Sequence, residues 1–264
     1  MLAVDQAVGS EDIVAAGERM ETAPLPTGRV LVTLATYNEA GNVPGMVAAI
    51  HEALPDADVL VCDDNSPDGT GKLADQMAAE RSWMHVLHRP GKLGLGSALV
   101  NALQYAAANG YDYWINMDAD FSHPPAALPA LLRGMNDHDV MIGSRYVKGG
   151  GIHGWDRKRH FMSKAINVYS RLMLGLKARD TSGSYRCYRL AKLAELDLSQ
   201  IYSTGYAFME EFLFHCKRVG CRIGETPIVF ENRRVGQSKL KATEAIKALW
   251  ALFYVGLRYR LLGR

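Results

Sequence analysis

Asn116 to Pro125 reads NMDADFSHPP, with Asp118 and Asp120 closing the apolar run YDYWIN and Pro124 and Pro125 stopping regular structure behind them. Alternate side chains share a face on an extended backbone, so the two carboxylates point the same way, a few ångströms apart. Like charges held that close need a divalent cation, a shared proton, or bulk water around an ordinary acidic turn. A pair without a complete protein cage suits magnesium or manganese arriving with a substrate diphosphate, because these ions take one or two carboxylates and leave other positions to phosphate and water. Such a substrate also needs cations opposite the metal. Arg145 ends the run DVMIGSRY, and Arg233 and Lys239 flank the glycine of RRVGQSK. Arginine suits bidentate phosphate recognition and lysine supplies a mobile point charge.

The elements that must position these groups follow from apolar periodicity. Strand-like runs fall at 29–35, 58–63, 84–89, 111–118 and 139–146, with helical patterns at 42–53, 70–82, 96–109 and 126–138. Such alternation predicts right-handed crossovers and a mainly parallel sheet with helices on both faces. Sheets of this kind place ligands at the carboxyl ends of their strands, where TYNE, DDNSPDGT and DADFSH would share one crevice. Asp64, just past the second strand, stands where a carboxylate can accept hydrogen bonds from a ribose or base edge. Farther on, Gly149–Gly151 reads as a hinge-like triplet, and SYRCYR, GYAFMEEFLFHCKRVG and CRIGETPIVF read as strand, helix and strand. Glu211 on that helix is either a partner for a sugar hydroxyl, a helix-orienting group or a solvated carboxylate.

Two tempting phosphate loops fail. GTGKL at 69–73 has leucine where a magnesium-binding hydroxyl belongs, and GKLGLGSA at 91–98 is followed by Leu99 where a third glycine should stand. The second is better read as a tight strand-to-helix turn.

The chain has 264 residues and a formal net charge of +2, with 22% charged and 48% hydrophobic residues, which excludes disordered and collagen-like classes. Charge is uneven, with eight Lys or Arg against the single acid Glu244 from residue 233 onward. Cys62, Cys187, Cys216 and Cys221 lack metal-finger spacing and read as reduced thiols. Neither a secretory signal nor a spanning helix is expected. The expected organisation is a flexible extension over 1–28, one catalytic domain over 29–241, and a basic, aromatic, amphipathic helix over 242–264. That helix either packs on the core or lies on an anionic membrane.

The ordered motifs TYNEAGNVP, DDNSPDGTGKLAD, HRPGKLGLGSA, GYDYWINMDADFSH, IGSRYVKGGGI, TSGSYRCYR, GYAFMEEF and NRRVGQSK resemble the dolichyl-phosphate or polyprenyl-phosphate mannosyltransferases, inverting glycosyltransferases of the Rossmann-like GT-A fold. The resemblance covers residues 29 to 241. It implies transfer of mannose from GDP-mannose to a dolichyl or polyprenyl monophosphate, giving a β-linked product, at the cytoplasmic face of a membrane. Separate membrane subunits are possible anchors, and no nucleic-acid partner is expected. By motif, Ala35, Tyr37, Glu39, Cys62 and Asp64 would contact the guanosine. Asp118, Asp120 and Ser122 would serve Mg2+ or Mn2+, with the Ala119 backbone near the donor. Arg145, Arg233 and Lys239 would hold phosphates, and Arg159 of RHFMS would join Arg145 near the acceptor. Ala35 stands where the family usually has proline, and Met209 where glutamine is common. A UDP-glucose-dependent polyprenyl-phosphate glucosyltransferase, a nucleotidyltransferase and a non-catalytic nucleotide-binding module are the rival readings.

Overall fold

A computed structural model describes residues 23–203, 205, 207–232 and 242–262. The first half alternates as its periodicity predicts, with β1 (Val30–Thr36), α1 (Val43–Ala53), β2 (Asp58–Asp63), α2 (Thr70–Ala79), β3 (Met84–His88), α3 (Leu95–Ala108) and β4 (Tyr113–Asp118). The helix expected over 126–138 is α4 (Leu128–Arg133) between two 3-10 turns, and β5 (Val140–Ser144) follows. The second half adds β6 (Gly151–Ile152), α5 (Arg157–Leu174), β7 (Arg186–Arg189), α6 (Leu190–Leu193), α7 (Phe208–Arg218), β8 (Ile223–Pro227), β9 (Val229–Phe230) and α8 (Ala242–Leu262).

The main sheet runs β3-β2-β1-β4-β7-β5-β8. Its β-branched strands are buried on both faces, as a parallel sheet covered by helices requires. Leu31, Leu60, Trp114 and Ile142 pack toward α3, α5, α7 and α8, while Val32, Val61, Ile115 and Met141 pack toward α1 and α4. SYRCYR supplies the exception to parallel order. β7 enters antiparallel between β4 and β5 and pairs Trp114 with Tyr188 and Asn116 with Arg186. The Trp114 and Tyr188 rings stack at 5.1 Å, which fixes the register of the insertion.

One expectation changes. Gly149–Gly151 is a pinned turn rather than a hinge. The Gly150 amide bonds Val147 O at 2.9 Å and that of Gly151 bonds Ile228 O at 2.9 Å. A Cβ at Gly150 would lie 2.5 Å from the Ser144 carbonyl, so glycine is there for close approach. The segment ahead of β1 is already tied to the domain at residue 23, where Arg133 Nε donates to Ala23 O and Asn136 Nδ2 to Pro24 O, each at 3.0 Å. At the other end, Ala248, Ala251, Leu252 and Val255 of α8 join the core, and Tyr169 of α5 donates to Leu249 O at 3.2 Å. Among the described residues no helix is long and apolar enough to cross a membrane.

Candidate functional site

Parallel pairing sets three strand ends abreast, because Ala35 of β1 pairs with both Cys62 of β2 and Asp118 of β4. The loops leaving these strands carry every positive-φ non-glycine residue among those described: Asn38 (63°), Asn65 (54°) and Phe121 (62°). Asparagine tolerates this region, but for phenylalanine it is strained. Backbone strain concentrated in the loops of one crevice is where a binding site is expected.

The DADFSH loop is held from inside. Asp120 is buried, and its Oδ1 accepts from the Ser122 amide at 3.0 Å and the Ser122 hydroxyl at 2.5 Å. Asp118 keeps about a third of its side chain exposed, and its Oδ1 accepts from the Ser184 hydroxyl at 3.0 Å. His123 Nδ1 accepts the Asp118 amide at 3.0 Å, and its ring stacks on Tyr185 at 4.9 Å with the edge of Phe230 alongside. Burial holds this imidazole below its ordinary pKa against the pull of Asp118 and Asp120, so it is neutral and can accept the amide proton. The loop thus presents hard oxygen donors whose direction is fixed by neighbours, an arrangement that fits a divalent cation. No cluster of three or more His, Cys, Asp or Glu groups suited to a metal exists among the described residues, and a cation on the two carboxylates alone would have its other positions open to phosphate and water. Ser122 donates its hydroxyl to Asp120 beside that site.

The β2 loop also separates its carboxylates by task. Asp63 accepts from Thr36 Oγ1 at 3.1 Å, Ser66 Oγ at 2.5 Å and the Ser66 amide at 3.0 Å, which closes the turn. Asp68 caps Thr70 and takes the Ala40 amide at 3.1 Å, joining the TYNE loop to α2. Asp64 is buried against Arg89, whose other nitrogens bond Ser97 Oγ at 2.5 Å and Asn101 Oδ1 at 3.1 Å. Burial raises the Asp64 pKa and Arg89 opposes it. Cys62 is fully buried with Sγ against Ala98 O, and burial pushes its thiol up to about 12, so the thiol stays protonated inside the fold. Tyr37 is exposed beneath Lys92, whose Nζ lies 4.4 Å from the ring centroid. Glu39 takes the Asn42 side-chain amide at 2.7 Å.

Arg145 sits at the end of β5, as expected, and its fork is already engaged. Nε and Nη2 reach the two Asp180 oxygens at 2.7 and 2.6 Å, and Nη2 also reaches Ser182 Oγ at 3.0 Å. The loop 180–184 holding these partners is fastened to α5 by Asn167. Its Oδ1 accepts from Thr181 N, Thr181 Oγ1 and Ser182 N at 2.7, 2.9 and 3.2 Å, and its Nδ2 donates to Ser182 Oγ at 3.1 Å. Glu225 of β8 takes the Asp180 amide at 3.0 Å. One loop therefore bridges Asp118, Arg145 and α5. Arg159 lies near the start of α5 over Trp155, 4.0 Å from the ring centroid. Arg233 and Lys239 lie outside the described residues.

Sequence reasoning assigned nothing to His123, Asp180, Ser182, Ser184, Asn167 or Arg89. The signal for Ser184 lay in TSGSYRCYR, whose antiparallel entry beside β4 carries it to the end of Asp118's strand, and Asp180 directly precedes that motif. Glu211 is neither solvated nor aimed at a sugar. It is fully buried and accepts from the Tyr202 and Ser203 amides at 2.8 and 2.7 Å. Burial works to raise its pKa, and hydrogen bonds from His215, Ser203 and Tyr202 overcome this and hold it low.

Glu210 has the opposite character. Its Oε2 is buried without a hydrogen bond, and burial raises its pKa to about 7. An unfolded glutamate ionises near ~4.3. Between those values the unfolded chain holds fewer protons than the folded one, so Glu210 costs stability progressively from about pH 4.3 to about pH 7 and no further above. Glu210→Gln should therefore raise Tm at pH 8 by more than at pH 5. Equal shifts at both pH values in thermal unfolding scans would remove the titration from this account.

Residues 31–197 match the Glycosyl transferase family 2 pattern. The chain is 43% identical over 240 residues to an undecaprenyl-phosphate mannosyltransferase of Micrococcus luteus, a match covering 88% of this chain and 99% of that one. It is 41% identical over 238 residues to a polyprenol monophosphomannose synthase of Mycolicibacterium smegmatis, covering 89% and 90%. Among solved structures, glucosyl-3-phosphoglycerate synthase of Mycobacterium tuberculosis, in complex with Mn2+, UDP-glucose and phosphoglyceric acid, aligns at TM-score 0.59 and 18% identity over 97% of this chain and 85% of that one. A mannosyltransferase of Pyrobaculum calidifontis, in complex with GDP-mannose and Mn2+, aligns at TM-score 0.54 and 16% identity over 92% and 76%. These two share the GT-A fold. With paired carboxylates at the end of β4 and a sequence match spanning most of its catalytic sheet, this chain belongs to glycosyl transferase family 2.

Proposed function

We propose that the protein transfers mannose from GDP-mannose to a dolichyl or polyprenyl monophosphate with inversion, giving a β-mannosyl phospholipid. The observation that carries this reading is the conjunction at one strand end of Asp118, about a third exposed and tied to Ser184, and the buried Asp120. The relatives at 43% and 41% identity, named for polyprenyl-phosphate mannosyl transfer, support the sugar and the acceptor. Mg2+ or Mn2+, when bound by Asp118 and Asp120, would neutralise the departing diphosphate. A phosphate monoester with a second pKa near ~6 is already ionised at neutral pH, so no general base is required. Catalysis then rests on orientation and charge. Ala35 and Cys62 offer backbone, and Tyr37, Glu39 and Asp64 side chains, around the guanosine. The Ala119 backbone lies by the donor phosphates. Arg145 and Arg159 flank the acceptor phosphate, with Arg233 and Lys239 completing the anion site. The enzyme works at the cytoplasmic face of a membrane, with α8 against the lipid and membrane subunits as further anchors.

The test is a transfer assay with GDP-mannose, a polyprenyl phosphate and either cation, with UDP-glucose as competing donor. Mannosyl lipid should form with Mg2+ or Mn2+, cease on addition of EDTA and return when cation is restored. Product from UDP-glucose alone would transfer the assignment to the glucosyl rival, and transfer undiminished by EDTA would remove the metal.

A further inference from the structure

The ladder between β4 and β7 stops just short of Asp118. Its last pairs are Ile115 with Cys187 and Asn116 with Arg186, in antiparallel register, so each step forward on β4 is a step back on β7. Continued past its end, that register sets Ser184 directly across from Asp118. The bonding agrees, since the Ser184 hydroxyl donates to Asp118 Oδ1 at 3.0 Å.

Ser184 is itself held in place. Asn116 shares a face of β4 with Asp118, and its Nδ2 donates to Ser184 O at 2.8 Å. Asn116 is buried, and its Oδ1 has no protein partner among the described residues. A half-satisfied amide inside an apolar strand is costly, and the bond this one does make goes to Ser184. Arg186 fixes the loop from below, with Nη2 on Thr181 O at 2.6 Å and Nη1 on Met209 O at 2.7 Å. Strand register, a buried amide and a buried guanidinium thus converge on one hydroxyl.

The two oxygens of Asp118 are thereby told apart. Oδ1 is committed to Ser184. Oδ2 has His123 Nε2 at 3.9 Å, beyond hydrogen-bond range. A small cation that demands near-octahedral geometry is served better by one well-aimed oxygen than by both oxygens of a carboxylate closing a strained chelate.

We infer that Ser184 is a positioning residue for the cation site: by holding Oδ1 it leaves Oδ2 as the single oxygen that Asp118 offers to a divalent cation, with Asn116 keeping Ser184 in register. This rests on the reading of Asp118 as a ligand of Mg2+ or Mn2+ and deepens it by naming the oxygen and the group that selects it. Its test reads cation binding and needs neither sugar nor lipid, so it fails separately from the assignment of mannosyl transfer.

The experiment is titration of Mn2+ into the full chain by electron paramagnetic resonance, in the presence of GDP and in parallel of UDP, with Tm recorded for each variant. Ser184→Ala removes one hydroxyl and should weaken Mn2+ binding by about tenfold or more, the range for groups that orient a metal ligand, with the wild-type Tm nearly kept. Ser184→Thr retains the hydroxyl and should bind Mn2+ as wild type does. Ser182→Ala is the control for a loosened loop, because Ser182 bonds Arg145 and Asn167 and not Asp118. It should leave Mn2+ affinity unchanged. A Ser184→Ala protein with wild-type affinity would overturn the assignment, as would equal weakening by Ser182→Ala, which would trace the effect to the loop as a whole. Wild type that binds no Mn2+ with either nucleotide would reject the cation reading and the role of Ser184 with it.

Discussion

Asp120→Ala should lower kcat/KM for mannosyl transfer by about a thousandfold, the equivalent of ~4 kcal/mol of transition-state stabilisation, within what a bound cation supplies at a departing diphosphate. The expectation rests on placement. Asp120 is buried, and Ser122 fixes one of its oxygens through two hydrogen bonds. Ser122→Ala leaves the carboxylate in place and removes one of those bonds, so it should cost about ten- to a hundredfold in cation affinity, the range for groups that orient a ligand. Titration of Mn2+ by electron paramagnetic resonance in the presence of GDP separates the two variants from a folding defect, because binding is read directly. The order wild type, Ser122→Ala, Asp120→Ala should hold both for Mn2+ affinity and for transfer. An Asp120→Ala protein that binds Mn2+ as wild type does would displace the cation from this loop.

The sequence made the scaffold legible where periodicity and burial agree. The five runs read as strands are β1 to β5, because a strand buried on both faces must be apolar throughout, and few other elements of that length are. The carboxylates of DADFSH were legible for a related reason, since acids ending an apolar strand are costly unless something uses them. What could not be read was pairing between segments distant in sequence. β7 lies between β4 and β5 because Trp114 and Tyr188 stack across the ladder, and no local pattern in SYRCYR says so. Consequently Ser182 and Ser184 were quoted within a motif and given no role, and Asp180, one residue ahead of it, was not singled out. Asp63, Asp64 and Asp68 look alike in the sequence. Their differing tasks emerge only when Thr36, Arg89 and Ala40 arrive from other elements to claim one each.

The same limit affects Arg145, which sequence reasoning assigned to a phosphate without sight of its buried partner Asp180. Arg145→Ala should destabilise the protein by about 3–5 kcal/mol, because it leaves a buried carboxylate without its partner. Burial by itself would raise the Asp180 pKa, and Arg145 overrides it and holds the group below the ordinary carboxylate range. A carboxylate with a depressed folded pKa contributes stability above its unfolded value of ~3.9 and loses it as pH falls through the folded value. Once Arg145 is gone, protonation of Asp180 relieves the penalty, so the deficit of Arg145→Ala should be greatest near neutral pH and narrow on acidification. Denaturant unfolding at two pH values measures this directly. Arg145→Met/Asp180→Leu removes both charges and replaces them with apolar volume, and such exchanges of buried pairs are often neutral or better. That double variant should regain most of the stability lost by Arg145→Ala. Its activity then decides the role of the guanidinium, since a folded, stable protein without transfer means that Arg145 serves the phosphates as well as Asp180. A folded double variant with wild-type transfer would confine Arg145 to holding loop 180–184 in place.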